Sequence, residues 1–502
     1  MVRLSTYYLS AILALAIGAF TLFSPALAQT PAPSATSATV PSAAPAAATP
    51  AAAPAAAPAD RPNKPSDVND GDNAWMLTSC ALVLLMTIPG LALFYTGLVR
   101  SKNVLSVMMQ SFIASGLITV QWFFFGYSLA FGHDAVSSTT SPLHGFIGNL
   151  DYAFLQHVSS FSPEGTQKLS YGNTVPHMVY CMFQLMFAII TPALISGAIV
   201  ERMKFSAYCV FMLLWATFIY DPLAHMVWSH DGWLNAHGAL DFAGGSVVHM
   251  SSGFSALTLA LILGRRKRSD GGEELRPHNL PFTLVGVALL WVGWFGFNSG
   301  SAINAGQLAT SAWANTHIAT ATAAVVWLLW DWFIYKKPTA LGFGSGAVAG
   351  LVAITPACGF VTPVGSVLIG TIVASVCFFA IRLKNLVKAD DALDVFGVHG
   401  IGGLTGCLCT GLFSVLYINS AAGRNGLLFG GPFAKTMVPQ LMDAGMTIIM
   451  AVVGTVILAA ITKLICGGLR TDDEEEEMGL DLTDHGESGY LLEGAGTGMS
   501  PA

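Results

Sequence analysis

GALDFAGGSVVHMSSG, Gly238 to Gly253, places two ionisable residues, Asp241 and His249, at the head of a long apolar run. Their neighbours are mostly Gly, Ala, Ser, Val and Phe. An ionisable side chain inside a membrane is costly, and where one occurs it faces a bundle interior or a pathway. A second stretch, DALDVFGVHGIGG from Asp391 to Gly403, repeats the idea with Asp394 and His399. Both copies read Ala-Leu-Asp, then a His, then small residues.

Composition puts these stretches in a bilayer. The 502-residue chain is 53% hydrophobic and 10% charged, against about 25% charged in soluble domains. The net charge of −7 belongs to the tail. Ten acids and no Lys or Arg fall in the last 32 residues, which leaves 22 basic against 19 acidic residues before them. Nothing in this balance points to nucleic acid. The eight cysteines lie almost entirely within apolar runs, where they read as small polarizable packing residues.

The chain divides into four parts. Residues 1–28 read as a signal peptide: Arg3, an apolar Leu9–Phe23 segment, then an Ala-x-Ala site at 26–28. An uncleaved first helix is the other reading. Residues 29–70 have the Ala/Pro-rich composition of a disordered linker. Residues 71–466 form the membrane domain and 467–502 an acidic cytoplasmic tail. The membrane domain holds eleven apolar segments of the length a bilayer demands. They span 75–98, 104–131, 178–200, 205–227, 239–263, 280–299, 310–334, 340–356, 362–382, 396–417 and 437–464.

Sixteen Lys and Arg residues fall on one set of connections and three on the other. The positive-inside rule then puts the N-terminus outside and the C-terminus in the cytoplasm. The two Asp/His stretches open spans 5 and 10. The expected fold is therefore an all-α membrane protein, N-out/C-in, of eleven transmembrane helices. Two inverted five-helix repeats are followed by one C-terminal helix. Inverted repeats place functional groups near the midplane, where the halves meet.

The residues themselves admit more than one role. His249 and His399 could be satisfied core residues; as counterparts in inverted halves they could also meet and exchange hydrogen bonds with a small polar solute. Metal binding is the rival, but no third ligand stands beside them. Asp241 and Asp394, near the start of their spans, could cap free N–H groups, and Asp241 could also steady a nearby cation. Trp294, Phe297 and Ser301 share one helical face, Phe183 and Phe187 are spaced i, i+4, and Trp228 ends span 4. Interfacial anchoring explains such aromatics; so does recruitment of a small cation by cation–π contact, worth up to about 2 kcal/mol when desolvated. No Ser/His/Asp or Cys/His constellation suggests an enzyme, and no cofactor is implied.

At these residues the chain resembles the Amt/Mep/Rh family of ammonium transporters, closest to its bacterial branch. The similarity runs from about Asn73 to Tyr490 and rests on TIPGLALFYTGLVRSKNVLS (87–106), AHMVWS (224–229), HGALDFAGGSVVHM (237–250), WFGFNSGSA (294–302), TPACGF (355–360) and DVFGVHG (394–400). The resemblance implies a homotrimer in the inner membrane with one narrow pore per subunit. It implies that Phe187, Trp228 and Ser301 recruit ammonium outside, and that Phe187 and Phe297 gate a constriction lined by Trp294. His249 and His399 would be twin pore histidines, Phe183 and Tyr220 would flank the vestibule, and Asp241 would support the outer site without touching the ion. Leu185 and Met186 stand where relatives often have small residues.

The tail segment Glu477–Tyr490 (EMGLDLTDHGESGY) resembles the family's regulatory segment. Gly479, Asp481, His485, Gly486 and Glu487 would act there, beside a docking face for a PII-type (GlnK-like) signal protein. The acidic run Asp472–Glu477 (DDEEEE) reads most simply as a solvated charge block, with contact to basic cytosolic loops as the other possibility. The implied function is recruitment and deprotonation of NH4+, then passage of NH3 with or without the proton. Alternatives are a passive NH3 or CO2 gas channel, or an ammonium sensor acting through a PII-type partner.

Overall fold

The computed structural model describes residues 68–161, 174–267, 277–383 and 389–490. The signal peptide, nearly all of the linker, and the basic residues Lys168, Arg268, Arg276, Lys384 and Lys388 lie outside the described residues. The described chain is helical, with only two isolated bridges of extended backbone.

Ten helical segments are long and apolar enough to cross a membrane. They are α1 (Asp70–Thr96), α2 (Ser101–Phe131), α3 (His177–Ile199), α4 (Phe205–Ala236), α5 (Gly245–Leu263), α6 (Leu280–Gly300), α7 (Gln307–Tyr335), α9 (Pro363–Arg382), α10 (Phe396–Phe413) and α11 (Phe433–Cys466). Between α7 and α9 lies a shorter apolar helix, α8 (Ala340–Ile354). Its 15 residues reach about 22 Å, short of a hydrocarbon core about 30 Å thick. The expected eighth span, 340–356, is thus a shorter helix, ending in the turns of Thr355–Phe360.

Two short helices follow, α12 (Asp473–Met478) and α13 (Leu480–His485). They correct the reading of the acidic run. Asp472 caps α12 in a reciprocal box with Glu475. Glu476 is buried, taking bonds from Arg470 and from the Lys267 N–H, both at 2.5 Å. Lys267 also pairs with Asp473. The block is solvated only in part, because its basic partners come from the connection after α5 and the end of α11.

The bundle is polar at its seams and apolar on its outside. Ser, Thr, Asn and Gln are buried along the interior, as helix packing in lipid favours. Phe123, Phe218, Trp332, Ile449, Val453 and Leu464 stand exposed on outer faces, as suits a lipid boundary. The first turn of α5 packs against α10, and the first turn of α10 packs against α5. This reciprocal contact needs glycine: a methyl group on Gly253 would collide with the Gly400 backbone.

Candidate functional site

The two Asp/His stretches are built alike, but not in the register their Ala-Leu-Asp triplets suggest. Asp241 lies before α5 and folds the chain back over the helix start. Its Oδ1 accepts the N–H groups of Gly244 and Gly245, both at 2.7 Å. Its Oδ2 accepts the N–H of Ser246 at 2.8 Å, the Ser246 hydroxyl at 2.7 Å and the N–H of Val247 at 3.3 Å. Four of the first free N–H groups of the helix thus end on one carboxylate, the capping arrangement helix starts require. The helix begins at Gly245 rather than near 239 because residues 238–244 form this turn, with Gly244 at φ +112°.

In the second copy the cap is Asp391, not Asp394. Asp391 accepts the N–H groups of Val395 and Phe396 at 3.0 and 2.8 Å. Asp394 has a left-handed backbone, φ +61°, and lines a cavity instead. The matching spacing is Asp241 to His249 and Asp391 to His399, eight residues in each case. Each histidine then falls in a wide π-type turn, Gly245–Met250 or Phe396–Gly400. Such turns often mark functional positions.

The structure brings the two histidines together. Their Nδ1 atoms stand 3.2 Å apart, and both rings are buried. His249 stacks on Trp294 and Phe297, with ring centroids 5.3 and 6.0 Å away. Its Nε2 is buried with no hydrogen-bond partner among the described residues. Trp294 is fixed by its indole N–H, which donates to Thr355 Oγ1 at 2.9 Å. A narrow cavity of about 10 Å³, the scale of a single water, runs between His249, His399, Trp294, Phe297, Leu194 and Val348.

Aromatics close one end of this cavity. Phe187 and Phe297 pack with ring centroids 4.2 Å apart and planes inclined by 33°. Phe187 meets Trp228 edge-on at 5.8 Å and Phe183 at 5.0 Å. The Trp228 indole N–H donates to the Asp241 carbonyl at 3.0 Å, so the residue that caps α5 also aims Trp228. The Ser301 hydroxyl donates to the Phe297 carbonyl at 2.8 Å and leaves its oxygen lone pairs as acceptors. Among the described residues Ser301 and Trp228 do not bond each other directly; each joins the cluster through a phenylalanine. Tyr220 is fully buried, but it has no ring contact with the Phe187–Trp228–Phe297 group among the described residues.

Beyond His399 the passage widens to about 180 Å³, lined by His399, Asp394, Val398, Ser345, Tyr95 and Pro277. Around this end lies an ion network that the sequence reading did not single out. Glu201 accepts from Arg100 and from Asn103 at 3.1 and 3.0 Å, and from Arg266 at 3.1 Å. Arg266 also grips Asp390 at 2.9 and 3.0 Å, next to the Asp391 cap. Burial alone would raise the Glu201 carboxyl, yet Arg266 and Arg100 hold it below the usual carboxylate range. Burial opposes the Asp390 charge as well, and Arg266 holds that carboxyl far below its ordinary value. The missed signal was an Arg or Glu at each of several successive connections.

The tail straps onto this same end. The Leu480 N–H donates to Asn103 Oδ1, and the Ser106 N–H to Asp481 Oδ1, both at 2.8 Å. Gly479, at φ +107°, lies so close to Lys102 that a side chain would strike it. His485 packs edge-on to Phe205 at 4.9 Å. Gly486, at φ +67°, ends α13, and Glu487 is exposed.

The arrangement is a cluster of aromatic rings, a close pair of phenyl rings, a narrow, mostly apolar centre with two imidazoles, and a wider, more polar cavity beyond His399. An ion stripped of water in such a centre faces a large desolvation cost. A small neutral molecule able to hydrogen-bond faces much less.

A sequence profile described as the Ammonium Transporter Family matches residues 74–490. An ammonium transporter of Bacillus subtilis is 48% identical over 421 residues, covering 84% of this chain and 98% of that protein. One of Archaeoglobus fulgidus is 43% identical over 425 residues, covering 84% of this chain and all of that protein. The crystal structure of Saccharomyces cerevisiae Mep2 is similar with a TM-score of 0.75 and 35% identity, covering 86% of this chain and 93% of that one.

Proposed function

Because this chain belongs to the ammonium transporter family, we propose that it carries ammonium across the membrane by separating the proton from the nitrogen. NH4+ is drawn to the Trp228 end, where Phe187, Trp228 and Ser301 offer aromatic faces and a hydroxyl acceptor. It yields its proton to water on the outer side of the Phe187–Phe297 pair, and the proton follows inward by the histidines or another route, so that charge crosses with the nitrogen. NH3 then enters the dry centre and is handed along by His249 and His399. Potassium is refused because it has no proton to shed. Asp241 acts from behind, holding Trp228 by its carbonyl without touching the ion.

The observation that carries this reading is the His249–His399 pair at 3.2 Å inside an apolar cavity of about 10 Å³. An unpartnered imidazole nitrogen there offers a hydrogen bond and no charge. The aromatic mouth favours a cation as the recruited species over a neutral gas, for which cation–π contact has no use.

The chain crosses the inner membrane with the Trp228 end outside and the tail in the cytoplasm, as the Lys/Arg distribution favours. Three copies form the working unit, each with its own pore. The tail, with Gly479, Asp481, His485, Gly486 and Glu487, receives a PII-type signal protein. The bonded route from Leu480 through Asn103, Glu201, Arg266 and Asp390 to the Asp391 cap supports a tail that reports to the His399 helix.

Ammonium pulses applied to proteoliposomes on a solid-supported membrane test the proposal. Saturable positive currents are expected. Ammonia flux with no current and no saturation would replace it with a gas channel.

A further inference from the structure

Two turns into α11, Gln440 is fully buried. A side-chain amide inside a membrane-spanning helix is costly unless its donors and acceptor are used. Those of Gln440 are used on main-chain groups. Its Nε2 donates to the carbonyls of Leu240 and Cys407 at 2.9 and 3.0 Å, and its Oε1 accepts the Leu240 N–H at 2.7 Å. The amide thus pairs with both main-chain groups of Leu240, as a neighbouring strand would. The pairing fixes the amide's orientation, because a flip would set nitrogen against the Leu240 N–H and oxygen against two carbonyls. The stem lies on α10 at Gly411, where an added methyl group would come within 3.0 Å of Gln440 Cγ.

Position gives this clamp its meaning. Leu240 immediately precedes Asp241, whose carbonyl holds the Trp228 indole at 3.0 Å. Cys407 stands on α10, eight residues after His399. One side chain therefore ties the support of Trp228 to the helix that follows His399. The same turn has other fastenings. Arg424 donates to the Gly238 carbonyl at 2.7 Å, and the Phe242 N–H donates to the Pro356 carbonyl at 3.2 Å. Neither of these bonds is made to Leu240 or Asp241. The Asp241 side chain is spent on Gly244, Gly245, Ser246 and Val247. The start of α5, and with it the His249 turn, therefore stays capped without Gln440.

We propose that Gln440 is a positioning residue of the outer cation mouth: by holding Leu240 against α10 it sets where the Asp241 carbonyl stands, and so how the Trp228 ring faces an arriving cation. The inference rests on reading the Trp228 end as a cation mouth. Gln440 itself touches no ion. Its loss frees Trp228 to shift and leaves the two histidines in place, so it acts on capture and not on passage.

The test uses the full-length protein in proteoliposomes, with ammonium as the ligand. Gln440→Met keeps the length and bulk of the side chain and removes all three hydrogen bonds. The half-saturating ammonium concentration is expected to rise roughly fivefold, the scale of one net hydrogen bond, with a maximal rate within about twofold of wild type. Gln440→Met combined with Trp228→Leu should match Trp228→Leu alone, because a residue that acts through Trp228 then has nothing left to act on. Unchanged half-saturation with a reduced maximal rate, or effects that multiply in the double variant, would overturn the proposal.

Residue-resolved amide exchange reads the clamp without transport. In the wild type the Leu240 amide should exchange as slowly as the Gly244 and Gly245 amides held by Asp241. In Gln440→Met it should exchange roughly fivefold faster while those two stay protected. Exchange of Leu240 in the wild type at the rate of an open loop would overturn the proposal even if the variant does not fold. Loss of saturable ammonium transport from the wild type would instead strike the functional reading, and the Leu240 amide would still decide the clamp.

Discussion

His249 and His399 meet through the same ring atom, Nδ1 to Nδ1, at 3.2 Å. Two neutral imidazoles in this contact share one hydrogen, so one ring donates and the other accepts. The ring that accepts at Nδ1 must carry its hydrogen on Nε2, and its partner must leave Nε2 bare. The pair thus presents a donor at one end and an acceptor at the other. An acid in place of either ring keeps hydrogen bonding but adds a charge that a dehydrated cation can use. His399→Asp is expected to lower ammonium-over-potassium selectivity by roughly tenfold, about 1.4 kcal/mol. Potassium currents in proteoliposomes measure it; unchanged exclusion would take the histidines out of the filter.

Trp228 touches Phe187 edge-on and is aimed by Asp241. Removing its ring face should weaken cation capture while leaving the centre of the passage intact. Trp228→Leu is expected to raise the half-saturating ammonium concentration by roughly tenfold, within the 2 kcal/mol or so of a desolvated cation–π contact. The maximal rate should barely change. A reduced maximal rate with unchanged half-saturation would make Trp228 a gate instead.

Gly253 lies against the backbone of Gly400, and this contact sets the distance between the two histidine-bearing turns. Gly253→Ala should force α5 and α10 apart, at about 1–3 kcal/mol as for other overpacked cores. A lower melting temperature in detergent and lost ammonium currents are expected. Gly445→Ala on α11, with open space around the new methyl group, is the matched control and should behave as wild type.

The tail and the ion network respond oppositely to pH. Docking buries Asp481 and Asp484, and burial raises both carboxyls above the ordinary value. They hold protons more tightly docked than free. Their contribution is therefore greatest below the free value of about 3.9 and declines as pH rises through the docked values. Glu201 and Asp390 are held low by Arg266, so their contribution persists above about 4 and is lost only as pH falls through their depressed values. Mild acid should consequently tighten the strap without loosening its anchor. Amide exchange over residues 473–490, corrected for intrinsic rates, should be slower at about pH 4.5 than at about pH 7.5. Faster exchange at the lower pH would contradict this.

The spans were legible because each is a long apolar run, and the histidine pair because an imidazole in such a run is costly. The register of the repeat was not. Ala-Leu-Asp occurs in both copies, but its match sets Asp394 against Asp241, whereas the capping carboxylate must stand at a fixed distance from the turn that holds the histidine. A count back from each histidine reaches Asp241 and Asp391, and it needs no triplet. The Glu476 pairing was hidden because charge composition alone does not say which of six neighbouring acids meets an arginine.

The reciprocal packing of α5 and α10 has one more consequence. Two like turns that meet head to head give the middle of the passage no fixed sense of direction, because either ring can be the one that donates at Nδ1. Each imidazole stands in the same kind of turn, although it is His249 that packs on Trp294 and Phe297. Any rectification of flow must then be imposed at the ends, where the halves have diverged. One end carries an aromatic mouth; the other carries Asp394, the arginine network and a strap. Inward bias would be a property of these unlike terminals and not of the centre they share.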